Sequence, residues 1–276
     1  MHVAPFSSSV RRPEVPLTQS PVSRPVDILS KVPEVTLWFW LIKICATTVG
    51  ETGGDALSMS LNLGYATSSL IFLAFFAATL AAQVRAKRFH PLIYWAVVVA
   101  TTTVGTTTSD FLDRTMGLGY VVSSALLSLG VVGLLVLWRA VCGAIAYDHI
   151  HRPRDEIFYW VTILVSNTLG TALGDFTADD LGLGFEGGAI AFSGLIVLVA
   201  LANRFTRLPK AVLFWAAYVL TRPLGATVGD LLTKPLDHGG LNLGRFASSG
   251  VILAVMVVLV IATEARRRRA HPAAAH

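Results

Sequence analysis

Long apolar stretches alternate with short polar interruptions along almost the whole chain. Eight stand out, at positions 35–56, 64–84, 92–112, 119–141, 157–176, 184–202, 211–232 and 244–262. Each is close to the ~20 residues that carry an α-helix across a bilayer core. No water reaches backbone groups in hydrocarbon, so they must pair within each segment, which predicts helices. The expected fold is all-α: a polytopic membrane bundle of eight transmembrane helices.

The polar positions inside these stretches recur. Trp40, Trp95, Trp160 and Trp215 are each followed ten positions later by Gly50, Gly105, Gly170 or Gly225. Five positions further stand Asp55, Asp110, Asp175 and Asp230. The stretches read TTVGETGGD, TTVGTTTSD, NTLGTALGD and RPLGATVGD, and each leads to a second glycine, Gly64, Gly119, Gly184 or Gly244, behind a leucine. Fixed offsets shared by four copies mark a tandem duplication. The second glycine follows the aspartate by nine positions in three copies and by fourteen in the last, so five residues are inserted near 234–240. The expected organisation is a disordered tail (1–32), four two-helix repeats (33–86, 87–147, 148–206, 207–264) and a basic tail (265–276).

Composition agrees with a lipid environment. Hydrophobic residues make up 54% and charged residues 14%, against about 25% charged in soluble domains. The net charge of +5 gathers in the tails and in the loops after even-numbered stretches, with Arg85, Lys87, Arg88, Arg139, Arg152, Arg154, Arg204, Arg207 and Lys210. The opposite hairpins carry Asp113, Asp179, Asp180 and Asp237 and fewer basic residues. The positive-inside rule then places both termini in the cytoplasm of a cell whose inner (plasma) membrane holds the protein. All four repeats enter the bilayer in one direction, as parallel repeats. The tail Arg266–Arg269 suits anionic lipid head groups, so the bilayer is an expected partner and nucleic acid is not. Two isolated cysteines, Cys45 and Cys142, suggest neither a zinc motif nor a disulfide framework.

The four copies, each with its tryptophan, together with KVPEVTLWFW and YVLTRPLGATVGD, resemble a bacterial family of four-repeat membrane proteins built from a repeat of unknown function and often labelled membrane-anchored. The resemblance spans about residues 31–263. It implies an integral membrane protein of paired-helix repeats and carries no activity, cofactor or site residue with it.

Depth decides which polar residues are informative. At 1.5 Å per residue, Lys43, Arg222 and Glu51 fall roughly 12, 17 and 24 Å from the inner boundary. A charge at the bilayer centre costs ~2.5–3.5 kcal/mol on insertion scales, so such groups usually face the interior and have partners. Two readings follow: a solute pathway, or a structural ion pair joining Glu51 to Lys43 or Arg222 and locking the first repeat to the fourth. Glu51 and Asp55 share a helix face. With Thr47, Thr48 and Thr52 beside them they form an oxygen-rich patch suited to a small cation or a proton. No metal can be named. Asp110, Asp175, Asp230 and Asp55 lie near the outer interface, either as hairpin caps or as a carboxylate ring that favours cations. Pro223, next to Gly225, is expected to bend or interrupt the seventh helix, and broken helices point to transporter sites. Gly50, Gly105, Gly170 and Gly225 suit close helix packing. The tryptophans suit an interfacial belt.

Soluble chemistry is not written in the chain. There is no phosphate loop, dinucleotide fingerprint or histidine pair at metal spacing within a span. His149 and His151, with Asp148 and Asp155, suit a solvated loop. Glu51 has no histidine beside it, so an intramembrane enzyme is not expected, nor is a cofactor. The leading expectation is a transporter of a small solute or ion, for a cation or coupled to protons. The alternative is a membrane module, sensor or assembly partner, whose deep charges are a structural lock.

Overall fold

A computed structural model describes residues 32–86, 89–145, 150 and 153–270. The expected disordered tail and the His149 and His151 loop lie outside the described residues. Eight long helices follow one another: α1 (Leu37–Asp55), α2 (Gly64–Arg85), α3 (Pro91–Asp110), α4 (Gly119–Cys142), α5 (Pro153–Asp175), α6 (Gly184–Phe205), α7 (Lys210–Thr233) and α8 (Arg245–Ala270). There is no strand among the described residues.

The helices α1, α3, α5 and α7 form a closed inner ring, each packed on the next and α7 returning to α1. The second helix of a repeat does not run along its own first helix. It lies on the first helix of the following repeat: α2 on α3, α4 on α5, α6 on α7, and α8 back on α1.

Glycine makes the inner ring possible. A Cβ on Gly50 would collide with Thr102, on Gly105 with Asn167, on Gly170 with Arg222, and on Gly225 with Thr47. Each struck residue lies three positions before the glycine of its own repeat. One contact thus recurs four times about a single axis along the bundle, as parallel repeats require. Thr102 donates to the Ala46 carbonyl at 3.1 Å and Thr47 to the Thr221 carbonyl at 3.2 Å, stitching neighbouring helices. Most other buried threonine hydroxyls on these helices, such as Thr101, Thr103 and Thr107, return to carbonyls of their own helix. That local pairing lets a polar helix be buried without orphaned groups.

At the end of the bundle where α1 begins and α8 finishes, aromatic rings repeat the same cyclic order. Phe39 meets Trp95 at 5.6 Å, Tyr94 meets Trp160 at 5.7 Å, Tyr159 meets Trp215 at 5.9 Å, and Phe214 meets Trp40 at 5.7 Å. This corrects the interfacial-belt expectation. Trp95, Trp160 and Trp215 are buried and Trp40 half-buried, because they stack on the preceding repeat rather than facing head groups.

At the other end, each of the first three hairpins leaves its inner helix through a wider turn. The bonds Leu61 N–H to Ala56 O, Met116 N–H to Phe111 O and Leu181 N–H to Phe176 O span five residues, at 3.1, 2.9 and 3.0 Å. The glycines Gly64, Gly119, Gly184 and Gly244 then take φ of +73°, +72°, +65° and +82°, a conformation that L side chains resist. The insertion in the fourth hairpin forms a short turn at Leu236–His238.

Among the described residues six helices are long and apolar enough to cross a membrane: Gly64–Arg85, Gly119–Cys142, Arg154–Asp180, Gly184–Phe205, Lys210–Thr233 and Arg245–Arg269. The expectation of eight spans is met by composition in these six. α1, with Lys43, Glu51 and Asp55, and α3, with its threonines, fall short, yet they occupy ring positions equivalent to α5 and α7. In the outer spans only 11–22% of residues are buried, against 67% in α5 and α7. The outer helices therefore present leucine, isoleucine and valine outward, as a lipid-facing coat does. α7 runs unbroken through Pro223, so the expected interruption is not present. Its proline ring abuts Gly170, and α1, α5 and α6 enclose the helix.

Candidate functional site on the ring axis

Residues four apart on each inner helix form a ridge toward the axis. On α1 that ridge reads Phe39, Lys43, Thr47, Glu51, Asp55. Corresponding residues from the other repeats complete successive layers.

The central layer is Glu51, Thr106, Thr171 and Ala226, the residues just after the four packing glycines. Arg222 reaches across it from α7. Its Nη2 donates to Glu51 Oε2 at 2.9 Å, to Thr106 Oγ1 at 2.6 Å and to Thr171 Oγ1 at 2.6 Å. Thr106 also donates to Glu51 Oε2 at 3.2 Å. Arg222 is 0% exposed and Glu51 3%. One guanidinium thus ties all four repeats together and closes the axis in this conformation. Of the two partners expected for Glu51, the structure pairs it with Arg222. Lys43 lies elsewhere, with Nζ 4.2 Å from the centre of the Tyr218 ring.

The next layer toward the hairpins holds Asp55, Asp110, Asp175 and Asp230, all buried. Lys234 Nζ sits 3.2 Å from both Asp55 and Asp230. Arg114 approaches Asp110 at 3.2 Å and Asp175 at 3.4 Å. Arg245 adds a 3.6 Å contact to Asp55. Four carboxylates therefore face three cations. Burial works against the Lys234 ammonium, but Asp230 and Asp55 outweigh it and hold its pKa well above the ordinary lysine value.

Several expectations change. The oxygen-rich patch on one face of α1 is not assembled. Thr47 bonds to carbonyls of Lys43, Ile44 and Thr221, and Thr48 to that of Ile44. Thr52 pairs with Ser249 of α8 at 2.6 Å. The hydroxyl at Glu51 comes instead from Thr106 of the second repeat. The four aspartates gather in one layer, each tied to a cation, and Asp55, Asp110 and Asp175 make no side-chain capping bond to the turn that follows. Among the described residues no three or more His, Cys, Asp or Glu side chains are grouped to hold a metal ion.

Arg114, Lys234 and Arg245 were missing from the sequence-derived set. Two were recoverable: Asp110 to Arg114 and Asp230 to Lys234 are four-residue steps, the spacing of helical ion pairs.

No curated protein and no solved structure is detectably similar to this chain. A family model, the Repeat of Unknown Function (DUF347), matches four times, at residues 38–89, 93–142, 158–208 and 213–269. Each match takes in most or all of one inner helix and the outer helix that follows it. The chain belongs to the DUF347 repeat family, with four copies of the repeat closing one helical ring.

Proposed function

We propose that this protein is a transporter of a small solute or ion, working along the ring axis and coupled to a proton or a small cation. The observation that carries it is the Arg222–Glu51 closure on the axis, flanked by buried charge on both sides. A ring held together only by packing would be more cheaply filled with apolar residues, since desolvating an ion pair usually offsets its attraction. Ionisable groups retained deep in a bilayer mark solute pathways. The aspartate layer, with more carboxylates than cations, suits a proton or small cation arriving from the hairpin end. Transport requires Arg222 to leave Glu51, and protonation of Glu51 weakens that bond.

On this reading the protein sits in a bacterial plasma membrane with both termini in the cytoplasm. The basic residues Arg204, Arg207, Lys210 and Arg266 to Arg269 at the terminal end support that orientation.

A second reading is favoured by one observation: Arg222 contacts residues from three other repeats, as a structural lock would. Proteoliposomes separate the two. The wild type should pass protons or a small cation down an imposed gradient, and Glu51→Gln should abolish the flux at equal folded yield. The double variant Glu51→Gln, Arg222→Met keeps the layer neutral and should also be inactive. Undiminished flux in that double variant, or none in the wild type, refutes transport through this axis.

A further inference from the structure

Between the aromatic layer and the aspartate layer the inner ring holds three charged side chains, Lys43, Arg222 and Glu51. Glu51 is committed to Arg222. Lys43 is 0% exposed and its Nζ has no hydrogen-bond partner among the described residues. Arg222 uses only Nη2 toward Glu51 and the threonines, and its Nε and Nη1 are buried without partners. The Tyr218 hydroxyl is in the same position. A buried ammonium without a counter-charge is costly, by several kcal/mol.

These donors share one neighbourhood. Lys43 stands over the ring of Tyr218, which is one turn before Arg222 on α7. One turn further along α1, Thr47 bonds to the Thr221 carbonyl. Lys43 thus meets α7 at Tyr218, and Arg222 stands about one turn further along α7, its Cβ and Cγ against Gly170 of α5. The aromatic layer of Phe39, Tyr94, Tyr159 and Phe214 lies on one side of these donors and the Arg222 closure on the other. Tyr94 and Tyr159 bond to each other through their hydroxyls at 2.7 Å. Around Lys43 and Arg222 the buried N–H and O–H donors outnumber their acceptor, the single Glu51 carboxylate.

We infer that Lys43, Arg222 Nε and Nη1, and Tyr218 form a binding site for a small monovalent inorganic anion, of halide or nitrate size, on the terminal side of the Arg222–Glu51 closure. The site deepens the transport reading and rests on the same axis: the aspartate layer repels an anion at the hairpin end, so the anion enters past the aromatic layer. In a coupled cycle the anion and a proton or cation meet at the closure from opposite ends. The anion neutralises Arg222 as Glu51 releases it.

The test measures binding apart from flux. Purified protein in detergent is unfolded thermally in sodium chloride, bromide or nitrate, and in sodium gluconate at equal ionic strength. The wild type should show saturable stabilisation by the small anions over gluconate, on the order of 5 °C near saturation. Lys43→Met removes a buried cation lacking a hydrogen-bond partner, so it should fold and lose that difference. Bromide-soaked crystals of the wild type should give an anomalous peak between Lys43 and Arg222. Equal stabilisation by gluconate, an undiminished halide effect in Lys43→Met, or no bromide peak there overturns the site. Anion binding without flux in liposomes leaves the site standing and removes the transporter reading. Flux with no anion effect does the reverse.

Discussion

Replacing Arg222 by methionine keeps most of the side-chain length and removes the charge. Glu51 is then stranded, 3% exposed, with the single 3.2 Å bond from Thr106. Thr106 and Thr171 each lose a 2.6 Å bond from the guanidinium. Removing one partner of a buried ion pair costs ~3–5 kcal/mol, mostly the penalty of the remaining charge. At ~1.4 kcal/mol per tenfold change, the folded-to-unfolded ratio drops by roughly two to four orders of magnitude. Neutralising Glu51 as well should restore most of the loss, so the double variant Glu51→Gln, Arg222→Met should sit within about 1–2 kcal/mol of the wild type. Reversible unfolding in mixed micelles, followed by circular dichroism for all four proteins, gives the coupling energy. A loss below ~1 kcal/mol in Arg222→Met, or additive effects in the double variant, would refute a buried and energetically coupled pair.

The ring geometry makes further predictions. Gly105→Ala puts a Cβ within 2.9 Å of the Asn167 carbonyl carbon and 3.0 Å of the Thr168 nitrogen, backbone that cannot step aside. It should cost ~1–3 kcal/mol, while Gly133→Ala, which meets nothing within 4 Å, should leave thermal stability unchanged. Gly119→Ala forces a side chain onto φ of +72° and should cost ~1–2 kcal/mol, read from the same unfolding curves. With Cys45 and Cys142 replaced, Thr52→Cys paired with Ser249→Cys should form an intrachain disulfide on mild oxidation, since the native hydroxyls are 2.6 Å apart. A mobility shift on a non-reducing gel that is lost on reduction checks it, and failure to cross-link would contradict the return of α8 to α1.

Helix positions and the fourfold duplication were legible because both depend on local spacing. A tryptophan, glycine and aspartate at fixed offsets mark equivalent points on four helices whatever their partners. The deep charges were also legible as oddities of composition, since hydrocarbon penalises them. Pairing was not: Lys43 and Arg222 sit at similar expected depths, and only the ring order makes α7 a neighbour of α1 and brings Arg222 to Glu51. Hairpin length alone does not reveal that α2 lies on α3 rather than α1, and that displacement buries Trp95, Trp160 and Trp215 instead of leaving them in a lipid belt. Pro223 misled for a related reason. A proline weakens an isolated helix, whereas α7, packed on α1, α5 and α6, continues through it.

Closure of the ring by its last members has a consequence for biosynthesis. Glu51 is made 171 positions before Arg222, and Asp55 precedes Lys234 by 179. The first helix therefore enters the translocation machinery with acids whose counterparts do not yet exist. Their pairing waits until the final quarter of the polypeptide has been made. A chain stopped after three repeats leaves Glu51 without Arg222 and Asp55 without Lys234.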